Sequence, residues 1–175
     1  MIPIRIIMSP REVVYIGNVP FESGVPPDAY HEALGKPDRI VECSTPAPYG
    51  HRNNQQHQYD SLGISLNEHH SSRLVHQIRI ELIPSQSAFP THERYRGDLN
   101  VCGIDFTDAL MEKDFLAAAT RIPVIFKPHL GWSWYIDGSE LSVTVCTYAT
   151  KTVSGGNSRK RRVYEIDVSY CNAHK

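Results

Sequence analysis

Hydrophobic residues fall on every second position near the N-terminus. Over residues 2–8 these positions are Ile2, Ile4, Ile6 and Met8. A period of two is the spacing of one face of a β-strand, so this segment is predicted as a strand. A second strand follows over residues 12–16. Residues 74–82 alternate in the same way and are predicted as a half-buried antiparallel strand.

The last third of the chain repeats this alternation in three segments. Apolar and aromatic residues recur at every second position in Trp132–Ile136, Leu141–Val145 and Tyr164–Tyr170. Asp137-Gly138 separates the first two segments, and a loop over 154–162 separates the last two. Three strands that follow one another in this way predict an antiparallel meander.

Two short helices are predicted between the strands. Pro27 to Leu34 has prolines at its start, and Gly35 and Pro37 end it. The second helix runs from about Thr107 to Ala119, with Thr107 or Asp108 as its N-cap and Met111, Phe115 and Ala118 facing inward. The pattern therefore predicts a single α+β domain over residues 1–175, with a mainly antiparallel sheet and two short helices.

A long polar segment interrupts this pattern over Cys43 to Gln58. It is rich in proline, asparagine and glutamine and has no hydrophobic periodicity. Such a segment buries too little apolar surface to offset the entropy of ordering, so it is predicted to be a mobile loop.

Composition and charge restrict the partners of this domain. The net charge is -1 and the pI is near 6.7, which does not favour nucleic acid or an anionic membrane as a partner. The basic run at 159–162 follows a glycine-rich turn and is interpreted as a solvated hairpin tip. No apolar run reaches the roughly 18 residues that a membrane span needs, and no signal peptide is recognisable. We therefore expect a cytoplasmic protein.

No pattern of reactive side chains predicts catalysis, a cofactor or a metal. The four cysteines Cys43, Cys102, Cys146 and Cys171 lack the CxxC spacing and are interpreted as free thiols, mostly buried. The histidines near Glu68 include the adjacent pair His69-His70, whose side chains point to opposite faces of an extended chain. Their spacing fits no known metal motif, so we expect no bound metal.

Aromatic residues next to polar segments are the best candidates for contact with a protein partner. Alternation places Trp132 and Trp134 on one face of a strand and Tyr135 on the other. Core packing is the default interpretation of the two tryptophans, and contact with a partner is the alternative. Tryptophan and tyrosine dominate the energetics of protein interfaces. The partner surface predicted from the sequence consists of Asn53, Tyr59, Glu68, His70, Trp132, Trp134 and Tyr135.

Four segments resemble a family of small bacterial cytoplasmic domains. They are Ala33–Ile40 (ALGKPDRI), Tyr59–Ile64 (YDSLGI), Val75–Ile80 (VHQIRI) and Tyr95–Gly103 (YRGDLNVCG). The resemblance extends over about residues 1 to 105, and its motifs carry no catalytic residue. Members of this kind are often immunity proteins of type VI or contact-dependent toxin systems. The resemblance implies a non-enzymatic domain that binds a cognate protein toxin and occludes it.

Two other functions stay open at this point. The first is a structural or accessory protein of a secretion or phage-like assembly, and the second is a small hydrolase. A toxin gene next to this one favours the immunity protein over the accessory protein. A bound metal, or one polar residue that is essential for activity, favours the hydrolase. The sequence does not indicate the oligomeric state.

Overall fold

Strands dominate the computed structural model, which describes residues 2–8, 11–21, 25–45, 52–69, 71–83, 91, 93–129, 133–149 and 161–170. Within these ranges it contains thirteen strands and two helices. In chain order they are β1 (Ile4–Ile7), β2 (Val13–Ile16), β3 (Val19–Phe21), α1 (Asp28–Leu34), β4 (Arg39–Thr45), β5 (Arg52–Tyr59), β6 (Ile64–Glu68), β7 (Val75–Glu81), β8 (Leu99–Val101), β9 (Ile104–Phe106), α2 (Glu112–Ala119), β10 (Lys127–His129), β11 (Ser133–Asp137), β12 (Leu141–Ala149) and β13 (Arg161–Tyr170). No helix in the described ranges is long and apolar enough to cross a membrane.

The larger sheet has eight strands in the order β10-β11-β12-β13-β7-β6-β5-β4, and every neighbouring pair is antiparallel. The segments predicted as a C-terminal meander correspond to β11, β12 and β13, which are neighbours in sequence order. The prediction of a mainly antiparallel α+β fold is confirmed. β13 pairs on its other side with β7, from the middle of the chain, so one sheet joins the two halves of the sequence.

A second sheet is the main departure from the predicted architecture. Its five strands have the order β3-β2-β1-β8-β9, and β1 pairs with β8 in parallel through Ile4 and Leu99. The expectation of one sheet is therefore wrong. Parallel neighbours need a long crossover connection, and local alternation gives no information about which distant strands will meet.

The hydrophobic core includes residues from both sheets and both helices. Ile6 of the smaller sheet, Ile80 and Ile166 of the larger sheet, Tyr30 of α1 and Phe115 of α2 are all fully buried members of one cluster. The aromatic ring of Phe115 packs edge-on against Phe126, with 4.9 Å between the ring centroids. The two helices therefore pack against the same core as the strands.

The first helix lies where the sequence predicts it, and the second helix begins later than predicted. α1 occupies the predicted segment, and the backbone N–H of Gly35 donates to the carbonyl of His31 at its end. The second helix begins at Glu112 rather than at Thr107 or Asp108, so that N-cap prediction is wrong. Met111 is extended and forms a β-bridge with Arg162, and Leu110 accepts the N–H of Val163. Pairing with β13 therefore replaces the predicted first turn of the helix.

The predicted loop over Cys43 to Gln58 is also wrong for most of its length. Residues Cys43–Thr45 belong to β4 and residues Arg52–Gln58 belong to β5, and these two strands form a hairpin. The amide of Gln56 donates to the Ser65 hydroxyl at 2.9 Å, across to β6. Such cross-strand bonds satisfy polar side chains inside a sheet, and the sequence alone does not reveal them. Residues 46–51 lie outside the described residues.

Candidate functional site

One face of the larger sheet carries polar side chains from one edge to the other. Residues directly opposite each other on neighbouring strands point to the same face. One such row crosses all eight strands through Lys127, Tyr135, Thr144, Asp167, Arg79, Ser65, Gln58 and Arg39. The adjacent row faces the core and consists of Trp134, Val145, Ile166, Ile80, Ile64 and Tyr59. Alternation along each strand thus separates a polar face from an apolar one.

A β-bulge gathers several reactive side chains on this polar face. Cys146 pairs with Glu165 and Thr147 pairs with Val163, which leaves Tyr164 as an extra residue in β13. Bulges of this kind redirect side chains and are common next to functional sites. The sulfur of Cys146 and carboxylate oxygens of Glu165 and Asp167 all lie within 4.8 Å of one another. These three residues, with Tyr164 and Arg79, are called the bulge cluster below.

Arg79 provides the positive charge at the bulge cluster. Its Nε lies 3.0 Å from Asp167 Oδ1 and 3.5 Å from Glu165 Oε2. Burial raises the pKa of Asp167 above its usual value, although the charge of Arg79 acts in the opposite direction. Glu81, fully buried, lies opposite Glu165 and accepts hydrogen bonds from the N–H and hydroxyl of Thr91. The charges of three carboxyl groups, those of Asp167, Glu165 and Glu81, therefore act on the one guanidinium group of Arg79.

The described thiols are poor nucleophiles at neutral pH. Burial, followed by the charges of Asp167 and Glu165, raises the pKa of Cys146 to about 12. Burial also raises the pKa of Cys102 to about 11. Because the thiolate is the reactive form, both sulfurs are almost entirely protonated near pH 7.

The same cluster offers the donors of a metal site, one sulfur and two carboxylates. This donor set suits a borderline divalent ion such as zinc. However, the guanidinium of Arg79 already lies against both carboxylates. A metal ion in this position requires Arg79 to move away, and the absence of a metal stays a prediction.

The partner surface predicted from the sequence does not form one exposed patch. Tyr59 and Glu68 are each only 1% exposed, so their predicted place at the surface is wrong. Glu68 is buried because it pairs with His57 at 2.8 Å and with Arg73 at 2.5 Å. Asn53 belongs to β5, but the structure does not describe its side chain. His70 and Trp132 lie outside the described residues.

Trp134 and Tyr135 lie on opposite faces of β11, as the alternation predicted. Trp134 is half-buried in the core row, and its indole N–H donates to Glu112 Oε1 at 2.9 Å. Tyr135 is half-buried on the polar face, where the ring of His129 meets it edge-on with 5.4 Å between the centroids. Trp134 lies five strand spacings from Tyr59, or about 24 Å, so these two aromatic residues do not share one contact surface.

An apolar groove that was not predicted from the sequence is formed by the C-terminal half of α2 and the segment that connects α2 to β10. It has a volume of about 320 Å³ and is lined by Leu116, Ala119, Thr120, Ile122, Val124, Ile125 and Phe126. Ile125 is 78% exposed. The signal in the sequence is the run Ile122–Phe126, which has no polar side chain and falls outside every predicted element. This surface is called the α2–β10 groove.

Comparison with known proteins gives one match. A family model described as a domain of unknown function (DUF7738) matches residues 5–116, which is more than half of the chain. The matched range contains the smaller sheet, the hairpins from β4 to β7 and the first half of α2. No curated protein and no solved structure matches the chain.

Proposed function

We propose that this chain, which belongs to the DUF7738 family of domains of unknown function, is a non-enzymatic protein-binding domain. In this proposal it neutralises a cognate bacterial toxin by occluding it. The protein-binding part of this proposal rests on the α2–β10 groove with its exposed Ile125. The toxin as the partner comes from the resemblance of Ala33–Ile40 and Tyr95–Gly103 to immunity proteins.

The groove has the properties of the central part of a protein interface. A large aliphatic side chain that leaves water on binding contributes about 1.5–3 kcal/mol. Ile125 offers this gain because most of its surface is exposed. The base of the groove is preformed, since Phe126 is 9% exposed and its ring packs edge-on against the buried Phe115. A preformed surface loses little entropy on binding, which favours tight association.

Exposed positive charges near the groove indicate the chemistry of the partner. Arg121 and Lys127 are exposed on either side of Ile122–Phe126, whereas the exposed Lys113 on α2 lies 4.0 Å from the carboxylate of Asp114, which offsets its charge. Complementary charge at the rim of an interface raises the association rate and selects the partner. We therefore expect the toxin to present an apolar side chain to the groove with carboxylates beside it.

The protonated thiols argue against a hydrolase that uses a cysteine nucleophile. Cys102 and Cys146 lack the lowered pKa that a cysteine nucleophile needs. The carboxylates of the bulge cluster are engaged by Arg79, which suits a structural role in fixing the register of β7, β13 and β12.

Co-expression with the product of the neighbouring gene tests the proposal. We expect that product to be toxic alone, harmless with this chain, and recovered in a complex with it. Ile125→Ser should weaken the complex about tenfold or more, and Ala117→Ser, an exposed change on α2, should leave the affinity unchanged. If the neighbouring product is not toxic, or remains toxic and forms no complex, the immunity function is wrong and the accessory protein replaces it.

A further inference from the structure

The outer edges of the two sheets differ in length and protection. Three of them are strands of only three residues, namely β3, β9 and β10. Pro20 lies within β3 and Pro128 within β10, and proline has no N–H to offer to another strand. β4 is different, because it has seven residues and no proline. Within the described part of the chain, β5 is the sole strand that pairs with β4.

A long edge strand without proline is a site where another strand can add, and the charges of β4, Arg39 and Glu42, select which strand that is. The outer edge of a sheet presents backbone N–H and C=O groups, and natural proteins usually protect such edges with proline, charge or short length. From this contrast we infer that the outer edge of β4 is a docking site for an extended segment of a partner protein. The added segment becomes a ninth strand of the larger sheet, a recurrent mode of protein recognition.

The side chains of β4 indicate what the added strand should carry. Ile40 is 54% exposed and lies opposite His57, on the face of the sheet that holds the core row. Glu42, two residues further along the strand, shares that face and is exposed. Apolar cross-strand pairs and pairs of opposite charge stabilise neighbouring strands. The partner strand therefore carries a lysine or arginine opposite Glu42 and an apolar residue opposite Ile40.

Charge repulsion argues against a second copy of this chain as the occupant. An antiparallel pairing of two β4 strands over their full length of Arg39–Thr45 centres on Glu42. It places Glu42 directly opposite Glu42 of the other copy, and like charges in that position are destabilising. A register centred on Val41 shortens the overlap to residues 39–43. Glu42 thus disfavours self-association and leaves the edge open to a strand with a basic residue.

A charge swap tests this inference with the protein itself as the probe. Glu42→Lys supplies a copy of the chain that has a basic residue at the required position. An equimolar mixture of wild type and Glu42→Lys should associate about tenfold more tightly than either protein alone, as measured by sedimentation equilibrium. Hydrogen exchange should slow at the amides of β4 in the mixture and not in the separate proteins.

Glu32→Lys is the matched control, because it makes the same charge change at an exposed position on α1. Mixed with wild type, it should not promote association. Glu42→Gln provides a second variant, and it should self-associate more than wild type because the repulsion is removed. The inference is overturned if the Glu42→Lys mixture is no more associated than its components, if Glu32→Lys has the same effect, or if protection appears away from β4. The test uses no toxin, so its result is independent of the proposed function.

Discussion

Replacement of Arg79 by methionine tests the electrostatic account of the bulge cluster. Methionine keeps much of the length and apolar contact of the arginine side chain and removes its charge. The Asp167 and Glu165 carboxylates, now 3.0 Å and 3.5 Å from Arg79 Nε, then lose the guanidinium between them. Arg79 itself is 17% exposed, so water replaces only part of the lost interaction.

The expected fall in the free energy of unfolding is large because Arg79→Met leaves buried carboxylates without their counter-charge. Removal of one partner from a buried ion pair costs about 3–5 kcal/mol. Because Arg79 and Asp167 are both partly exposed, we expect a value at the lower end of this range, about 3 kcal/mol. For a chain of 175 residues, this corresponds to a fall of about 6–12 °C in Tm.

The destabilisation caused by Arg79→Met should depend on pH in a defined direction. Burial raises the folded-state pKa of Asp167 above its ordinary value. A carboxyl with a raised folded-state pKa favours the folded state at low pH and loses that contribution as the pH rises through the folded pKa. Removal of Arg79 increases this effect. The destabilisation by Arg79→Met, measured by urea unfolding, should therefore be larger at pH 8 than at pH 5.

Arg96→Met is the matched control. Arg96 pairs with Glu93 at 3.0 Å, but both side chains are more than half exposed. Such surface pairs contribute about 0–1 kcal/mol, so this variant should be nearly as stable as wild type. A loss below about 1 kcal/mol for Arg79→Met, or an equal loss at pH 5 and pH 8, would show that Arg79 does not stabilise the fold by compensating buried carboxylates.

Two further predictions concern backbone geometry and thiol reactivity. Gly35→Ala should cost about 1–3 kcal/mol because of its left-handed φ of 80°. Gly63→Ala should lower the free energy of unfolding further, since its Cβ would collide with the backbone nitrogen of Tyr95. Equal urea midpoints for the two variants would contradict this. Cys146 should be alkylated about a thousandfold more slowly than a free cysteine at pH 8 because its pKa is about 12. Mass spectrometry of alkylated peptides measures this rate, and modification of the native protein at the rate of free cysteine would contradict it.

Local periodicity in the sequence correctly indicated the strands predicted at both ends and in the middle of the chain, and the presence of both helices. The spacing of Ile4 and Ile6, and of Ile78 and Ile80, reports which face of each strand is buried, and all four side chains are fully buried. This information lies within a few neighbouring residues. The sequence indicated the local pairing of β11, β12 and β13 but did not reveal which distant strands pair, because pairing such as that of β7 with β13 joins residues far apart in the chain.

The errors at the predicted loop and the predicted partner surface share one physical cause. Gln56 and Glu68 are polar but buried, because Ser65, His57 and Arg73 on other segments satisfy them. Polar composition therefore suggested a loop and a surface patch where the chain forms a sheet. The bulge cluster was not predicted for the same reason, because Arg79 lies next to Asp167 only when β7 and β13 pair.

The position of β13 between β12 and β7 affects how the chain folds during synthesis. β7 ends at Glu81 and β13 begins at Arg161, so the ribosome adds 80 residues before the two strands can meet. At about 5–20 residues per second, this takes roughly 4–16 s. Throughout that interval one side of β7 has no strand to pair with, although the segment matched by the family model is already complete at residue 116. Nascent chains of this protein therefore expose an open strand edge for seconds, and a chaperone has that time to bind it.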